Sequence, residues 1–190
     1  MRRRRSRSLL RAASAPREVL ILPSRRIFDL DAGEADIALR MRSLPSTKGM
    51  LARKLGTIVF AVYGVSRDDR LPMLMPSNHS SVSRQYAVAQ RVIAARPTGP
   101  EIDEMHLRYH AIKSGVGVGC LPCFLGDSDP DLQRIYAGAA FEVHDDLYLA
   151  RHERTKTDPA VEAVAEAIVK LFRANRALLH AWFPGQDKFA

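Results

Sequence analysis

Four short patterns in this chain hold residue types that do chemistry in other settings. His106 and His110 stand four apart in His106-Leu107-Arg108-Tyr109-His110, the helical spacing that puts two imidazoles on one face. Zinc hydrolases use that spacing with a glutamate directly after the first histidine as general base. Leu107 occupies that place and no third ligand suggests itself, so the pair reads as surface or packing histidines. Cys120-Leu121-Pro122-Cys123 has the C-x-x-C spacing of a redox dithiol. Such a dithiol needs a helix N-terminus to lower its thiolate pKa. Here the pattern follows Gly115-Val116-Gly117-Val118-Gly119, a strand-like run, and Asp127, Asp129 and Asp131 disfavour an anionic sulfur. A buried strand end is the better reading. The glycines themselves have no Lys-Ser/Thr after them and lack the third glycine of a dinucleotide fingerprint. Gly115 instead reads as a helix cap, and Gly117 and Gly119 as points where backbones pack closely. The acidic run Asp127 to Asp131 lacks the glycine and closing glutamate of a calcium loop and reads as a solvated turn. No serine sits in a G-x-S-x-G elbow. The sequence carries no positive sign of an enzyme, a metal or a cofactor, and binding is the chemistry that remains.

The elements that would position a binding site alternate between short strands and helices. Glu18 to Leu22 reads as a strand stopped by Pro23 and Ser24. Ile27 to Glu34 reads as a brief helix or turn ended by Gly33, and Asp36 to Arg40 as the next strand. Thr57 to Val65 is rich in β-branched residues and reads as a long strand, followed by Met73 to Met75. Ser80 and Ser81 offer caps for a helix from Val82 to Ala95. Thr98-Gly99-Pro100 reads as a turn and Glu101-Ile102 as a short strand. Asp103 caps a helix over 104–114, with Met105, Leu107, Tyr109, Ala111 and Ile112 on its apolar side. Val116 to Leu121 and Leu147 to Ala150 read as strands. Pro159 opens the longest helix, 160–179. This alternation predicts an α/β fold with a parallel-rich sheet.

At 190 residues, 46% hydrophobic and 26% charged, the chain suits one globular domain or two small lobes. No apolar run approaches the roughly 20 residues that span a bilayer. The net charge is +8, but residues 1–17 hold seven arginines and no acid, so seven taken from eight leaves +1 for everything after Arg17. The basicity is therefore a tail and not the folded basic face of a nucleic-acid reader. The tail reads as a solvated disordered arm, with a non-specific phosphate-binding arm as the functional alternative. Leu9-Leu10 is its longest aliphatic run, too short for an export signal. The two cysteines are then expected as reduced thiols in a cytoplasmic protein.

Gly33-Glu34-Ala35-Asp36-Ile37-Ala38-Leu39-Arg40, then Leu51-Ala52-Arg53-Lys54-Leu55-Gly56, then a strand ending in Tyr63-Gly64-Val65 resemble the effector-binding domain of LysR-type transcriptional regulators. The stretch Ser114 to Leu132 is similar to the same family's second signature, and the likeness covers residues 18 to 175. The resemblance implies a two-lobed, type 2 periplasmic-binding-protein-like α/β fold. Lobe one would comprise residues 18–64 and 146–180, and lobe two 65–145, with a basic arm over 1–17 and a tail over 181–190. It also implies that the family's first strand, central in lobe one, and its helix-turn-helix have no counterpart here, which would leave lobe one incomplete. Each buried backbone group left without a partner costs about 1–3 kcal/mol. By resemblance the ligand pocket is lined by Pro23 and Ser24, by Arg40, Met41 and Arg42, by Tyr63, by Ser77, Asn78 and His79, and by Pro122 and Phe124. Arg40, Arg42 and His79 would engage a carboxylate, because an arginine offers such an anion a bidentate fork.

The function this implies is sensing of a small, anionic metabolite within transcription regulation, with closure around the effector shifting a two-state equilibrium. A homodimer, or a mixed dimer with a full-length regulator, is the expected assembly. The alternatives are a stand-alone solute-binding or interaction protein and, in third place, a C-x-x-C oxidoreductase. No sequence-specific DNA complex is expected from this chain by itself. A gel-shift assay at physiological salt, run over a library of duplexes, checks this: only weak, sequence-independent retardation should appear, and a discrete specific complex would contradict the reading.

Overall fold

The computed structural model describes residues 18–24, 26–42, 48–78 and 83–179. The basic arm, Arg25, His79, the proposed caps Ser80 and Ser81, and the 181–190 tail lie outside the described residues. The chain forms two compact units, Met1–Gly56 with Asp146–Arg176 and Thr57–Asp145 with Ala177–Ala190. Two long strands pass from one unit to the other, and both are longer than their sequence suggests.

In the first unit, strand β1 (Ile37–Met41) pairs antiparallel with β7 (Val143–His152), with Ile37 opposite Arg151 and Met41 opposite Leu147. The order continues from β7 to β2 (Met50–Gly64). Strand β2 begins seven residues before its β-branched half, in a stretch where Arg53 and Lys54 are both exposed and Lys54 pairs with Asp146 at 2.7 Å. Helix α4 (Pro159–Ala174) starts where Asp158 accepts the Ala160 N–H at 2.8 Å and Pro159 supplies a pre-set first turn. It lays Ala165 and Val169 on Leu149, with Ile37, Leu55 and Ile168 at the margin. The helix expected to reach Leu179 breaks at Asn175, which turns both its backbone and its side-chain nitrogen onto the Leu171 carbonyl. A single turn, α5 (Arg176–Leu179), follows.

Glu18 to Leu22 does not form the strand its composition suggests. Among the described residues β1 has a strand neighbour on its β7 side only. The run Val19, Leu20, Ile21 and Leu22 is exposed, at 42%, 74%, 81% and 46%. A strand requires partners for its N–H and C=O groups, and apolar side chains do not supply them. Ile27 to Glu34 is a turn. The Asp29 carboxylate accepts the Asp31 and Ala32 N–H groups at 2.9 and 3.1 Å, and Gly33 takes a φ of 80°.

In the second unit the inner half of β2 is buried on both faces and pairs antiparallel with β5 (Gly119–Pro122) and β6 (Gln133–Arg134). Strand β3 (Met73–Met75) pairs in parallel with β4 (Thr98–Glu101), and Met73 makes a parallel bridge to Val118. The expected parallel-rich sheet is therefore a correction. The long strands that carry the chain between units run antiparallel to their named neighbours, and parallel pairing is confined to β3 and what flanks it. Thr98-Gly99-Pro100, read as a turn, opens β4. Helix α1 (Ser83–Val92) covers one side of the sheet through Val88, Ala89 and Val92, against Phe60, Val62, Met73 and Val118. On the other side, α2 (Met105–Lys113) and the short α3 (Cys123–Gly126) enclose a cluster of Val59, Ala61, Tyr63, Leu74, Ile112, Leu121 and Cys123.

The glycines of residues 115–119 divide as their spacing implies. Gly115 ends α2 with a φ of 75°. A Cβ on Gly117 would lie inside van der Waals contact of the Pro72 carbonyl oxygen, and one on Gly119 would meet Ile112 Cδ1 at 2.9 Å. Backbone cannot yield as a flexible side-chain end can. Gly117→Ala should therefore destabilise by about 1–3 kcal/mol in urea denaturation, through separation of β3 from the lead-in to β5. A loss below about 0.5 kcal/mol, the level of an ordinary surface change, would show that the close approach is not required.

Candidate functional site

The second unit gathers the polar groups best placed to receive a ligand at the C-terminal end of β3. Open α/β sheets bind ligands beyond the carboxyl ends of parallel strands, where side chains leave the sheet without competing for its ladder. Here the chain leaves β3 through Pro76, Ser77 and Asn78. Ser77 is buried and its hydroxyl donates to the Asp103 carboxylate, while Asn78 is exposed. Ile102 donates its N–H to the Met75 carbonyl at 2.9 Å, holding the residue before Asp103 beside the strand.

The segment that carries Asp103 is tied in turn to Arg108, only 2% exposed on α2. Its Nε donates to the Cys120 carbonyl at 3.1 Å, Nη1 to the Ile102 carbonyl at 3.2 Å, and Nη2 to the Gln85 side-chain oxygen at 3.0 Å. Gln85, on α1, is 3% exposed. One guanidinium thereby ties α1, α2, β5 and the segment after β4 into a single polar frame. Sequence reading missed both residues and placed Leu107 on the buried side of α2, whereas Leu107 is 61% exposed. The signal available was the spacing from Arg108 to Ile112, four residues apart on a helix and so on one face. His106 and His110 are exposed, and among the described residues no group of three or more His, Cys, Asp or Glu side chains is arranged to hold a metal ion.

Tyr63 is fully buried, and its hydroxyl donates to Asp127 at 2.7 Å. Arg134 donates through Nε to that hydroxyl at 3.1 Å and to Asp127 at 2.9 Å. Burial, with Asp127 beside it, pushes the phenol well above its ordinary range. The ring also lies where a Cβ on Gly126 would be, so Tyr63 fastens α3 from within the core. Pro122 is buried at the start of α3, and Phe124 is 37% exposed. Cys120 lies in β5 and Cys123 opens the single turn of α3, both buried and free. Burial pushes their thiols up to about 12 and about 11 respectively, the reverse of what a redox dithiol needs.

The remaining candidates belong to the first unit. Pro23 and Ser24 are exposed, and the Ser24 hydroxyl accepts the Arg26 N–H at 2.9 Å. Arg40, half-buried on β1, donates from Nη2 to the Phe28 carbonyl at 2.7 Å and so pins the acidic turn to the strand. Met41 is 40% exposed. Arg42 leaves β1 with a φ of 70°, a left-handed backbone that costs most residues about 1–2 kcal/mol. Its N–H donates to the Asp146 carbonyl at 2.7 Å.

Two α/β units joined by two strands that pass from one to the other define the type 2 periplasmic-binding-protein-like fold class. The family described as LysR substrate binding domain matches residues 17–173, and the chain belongs to it. Solved structures share the fold. The regulatory domain of HypT from Salmonella typhimurium is 14% identical, with 76% of each chain covered and a TM-score of 0.62. The effector domain of AmpR from Pseudomonas aeruginosa is 17% identical, covering 80% of this chain and 79% of that one, with a TM-score of 0.56. Full-length LysG from Corynebacterium glutamicum, solved with bound effector Arg, is 17% identical with a TM-score of 0.54, and the match covers 75% of this chain and 53% of that one. A comparison with curated proteins gives no match. Among the described residues no helix is long and apolar enough to cross a membrane.

The frame around Arg108 makes a direct prediction. Gln85→Leu keeps the volume but removes one acceptor from a buried guanidinium, and should cost about 1–3 kcal/mol in chemical denaturation. Gln85→Glu, which restores an acceptor, should recover most of that loss. Equal losses in the two variants would contradict the hydrogen-bond account.

Proposed function

We propose that this chain is the effector-sensing part of a LysR-type regulator and that its effector is a small anion, with a carboxylate as the group recognised. The observation that carries the proposal is the polar frame at the end of β3. Asn78 is exposed there, Ser77 is oriented by Asp103, and the Arg108 guanidinium, which donates to Gln85, Cys120 and Ile102, fixes the residue before Asp103. A fixed guanidinium in a dry setting favours an anion more strongly than the same charge in water. Binding would act through whichever of two conformational states holds the effector more tightly, because a ligand shifts an equilibrium only by its differential affinity. In a regulator that response is passed to a partner copy, either this chain or a longer member of the family.

The test is a thermal-shift and calorimetric screen of small ligands in matched sets, each carboxylate beside its amide and its amine. Carboxylates should raise the melting temperature where the matched amides and amines do not. Asn78→Ala, at an exposed position, should leave the apo protein's melting unchanged and weaken the best ligand about tenfold or more, the equivalent of one hydrogen bond to a charged group. A hit set made only of amines or neutral molecules would refute the anion reading. Binding unaffected by Asn78→Ala would refute the location.

A further inference from the structure

The first unit holds an open groove of about 280 Å³ between α4 and the strands it covers. Side chains two apart on a strand share a face. Leu51 and Arg53 therefore look the same way as Leu55, which packs against Leu149, Ala165 and Val169. Leu51, Leu149, Ala165 and Val169 make an apolar floor, and the methyl group of Ala165 is too short to fill the space above it. Charge divides by wall. Arg53 of β2 and Arg151 of β7 line the strand side, and Glu162 and Glu166 of α4 line the helix side. Arg151 donates to Glu162 across the groove, so one such pair is already closed. Arg53 is exposed, and Glu166, also exposed, pairs loosely with Lys170 at 3.6 Å, four residues on along the helix.

We propose that this groove binds a free α-amino acid with a mid-sized apolar side chain. Its carboxylate would sit on Arg53, its ammonium on Glu166 and its side chain on the floor. Facing walls of opposite sign select the ligand. A simple carboxylate would meet Arg53 but bring its charge towards two glutamates, and a simple amine would meet two arginines. A dipolar ion satisfies both walls, and an arginine fork matches the geometry of a carboxylate. Size sets the body. The volume lies just below the roughly 300–1,000 Å³ of sites for drug-sized ligands, which suits one side chain of leucine or phenylalanine size. The floor supplies most of the attraction, because exposed ion pairs are individually weak. Every lining residue belongs to the first unit. The site therefore does not include the end of β3 and does not rest on the effector reading.

The experiment is an amide NMR titration of the full chain with L-leucine, beside isocaproate, isoamylamine and glycine. These three lack the amino group, the carboxylate and the apolar side chain in turn. L-Leucine should shift the amides of Leu51, Arg53, Glu162 and Glu166 together. Each counterpart should bind about fivefold more weakly or worse, the upper range for loss of one exposed ion pair. Arg53→Glu and Glu166→Arg, both at exposed positions, should leave the melting of the apo protein unchanged. Each should weaken leucine binding about tenfold, since a repulsion replaces an attraction. Combined, the two exchange the charges between the walls and should restore most of the affinity, which a purely structural role for either residue would not do. Isocaproate or isoamylamine binding as tightly as leucine, no leucine shifts in the groove, or no recovery in the double variant would each overturn the proposal. Asn78→Ala separates this site from the proposed effector site. Leucine binding should survive Asn78→Ala and be lost in Arg53→Glu. The reverse pattern would place the amino acid at the end of β3, overturning the groove while sparing the effector reading.

Discussion

A guanidinium that has lost contact with water must find its acceptors in the protein, because burying a charge without them is among the costliest events in folding. Arg108 meets this constraint by drawing on three elements at once: the Cys120 carbonyl of β5, the Ile102 carbonyl after β4, and the Gln85 side chain of α1. None of these groups can drift without leaving a donor unmatched. The arrangement beyond β3 follows from that. Ile102 is held on both sides, by Arg108 through its carbonyl and by Met75 through its N–H, and it delivers Asp103 to Ser77. A cationic group that looks like a defect in an apolar core is thus what keeps the strand end in a fixed geometry, and fixed geometry is what lets a small site discriminate among ligands.

Periodicity found the second unit well because apolar content there coincides with burial. The β-branched half of β2, the short β3, both long helices of the unit and the glycines at 115, 117 and 119 were all legible. The misses have identifiable causes. The start of β7 was hidden because Asp145 occupies an inward-facing position and is fully buried against Arg84. The start of β2 was hidden by Arg53 and Lys54. Arg108 and Gln85 were missed because composition counts a polar residue as a surface residue, whereas its burial depends on acceptors contributed by distant segments. In the first unit the error ran the other way. Glu18–Leu22 has the side chains of a strand and lacks the neighbour, a property of the fold that no local pattern carries.

The candidate site divides along the same line. The family resemblance pointed to the loop after β3, and the geometry there gives the reason Ser77 sits as it does, its hydroxyl donating to Asp103. It also gives two of the expected wall residues different duties. Tyr63 is a buried fastener for α3, and Arg40 secures the 26–34 turn through the Phe28 carbonyl. The C-x-x-C pair, the two histidines on α2 and the aspartate run each fall back on structure: raised thiol pKa values, exposed imidazoles, and carboxylates engaged with Tyr63, Tyr109, Lys113 and Arg134.

The central claim is that an anion is received at the carboxyl end of β3, in front of the Arg108 frame. Amide and side-chain NMR shifts followed while a stabilising carboxylate is titrated into the protein test this most directly. The account predicts that Ser77, Asn78 and the Gln85 side-chain amide move together and saturate at one dissociation constant, while residues on the solvent face of α4 stay still. Shifts confined to β1 or α4, with Ser77, Asn78 and Gln85 unmoved at saturation, would contradict it.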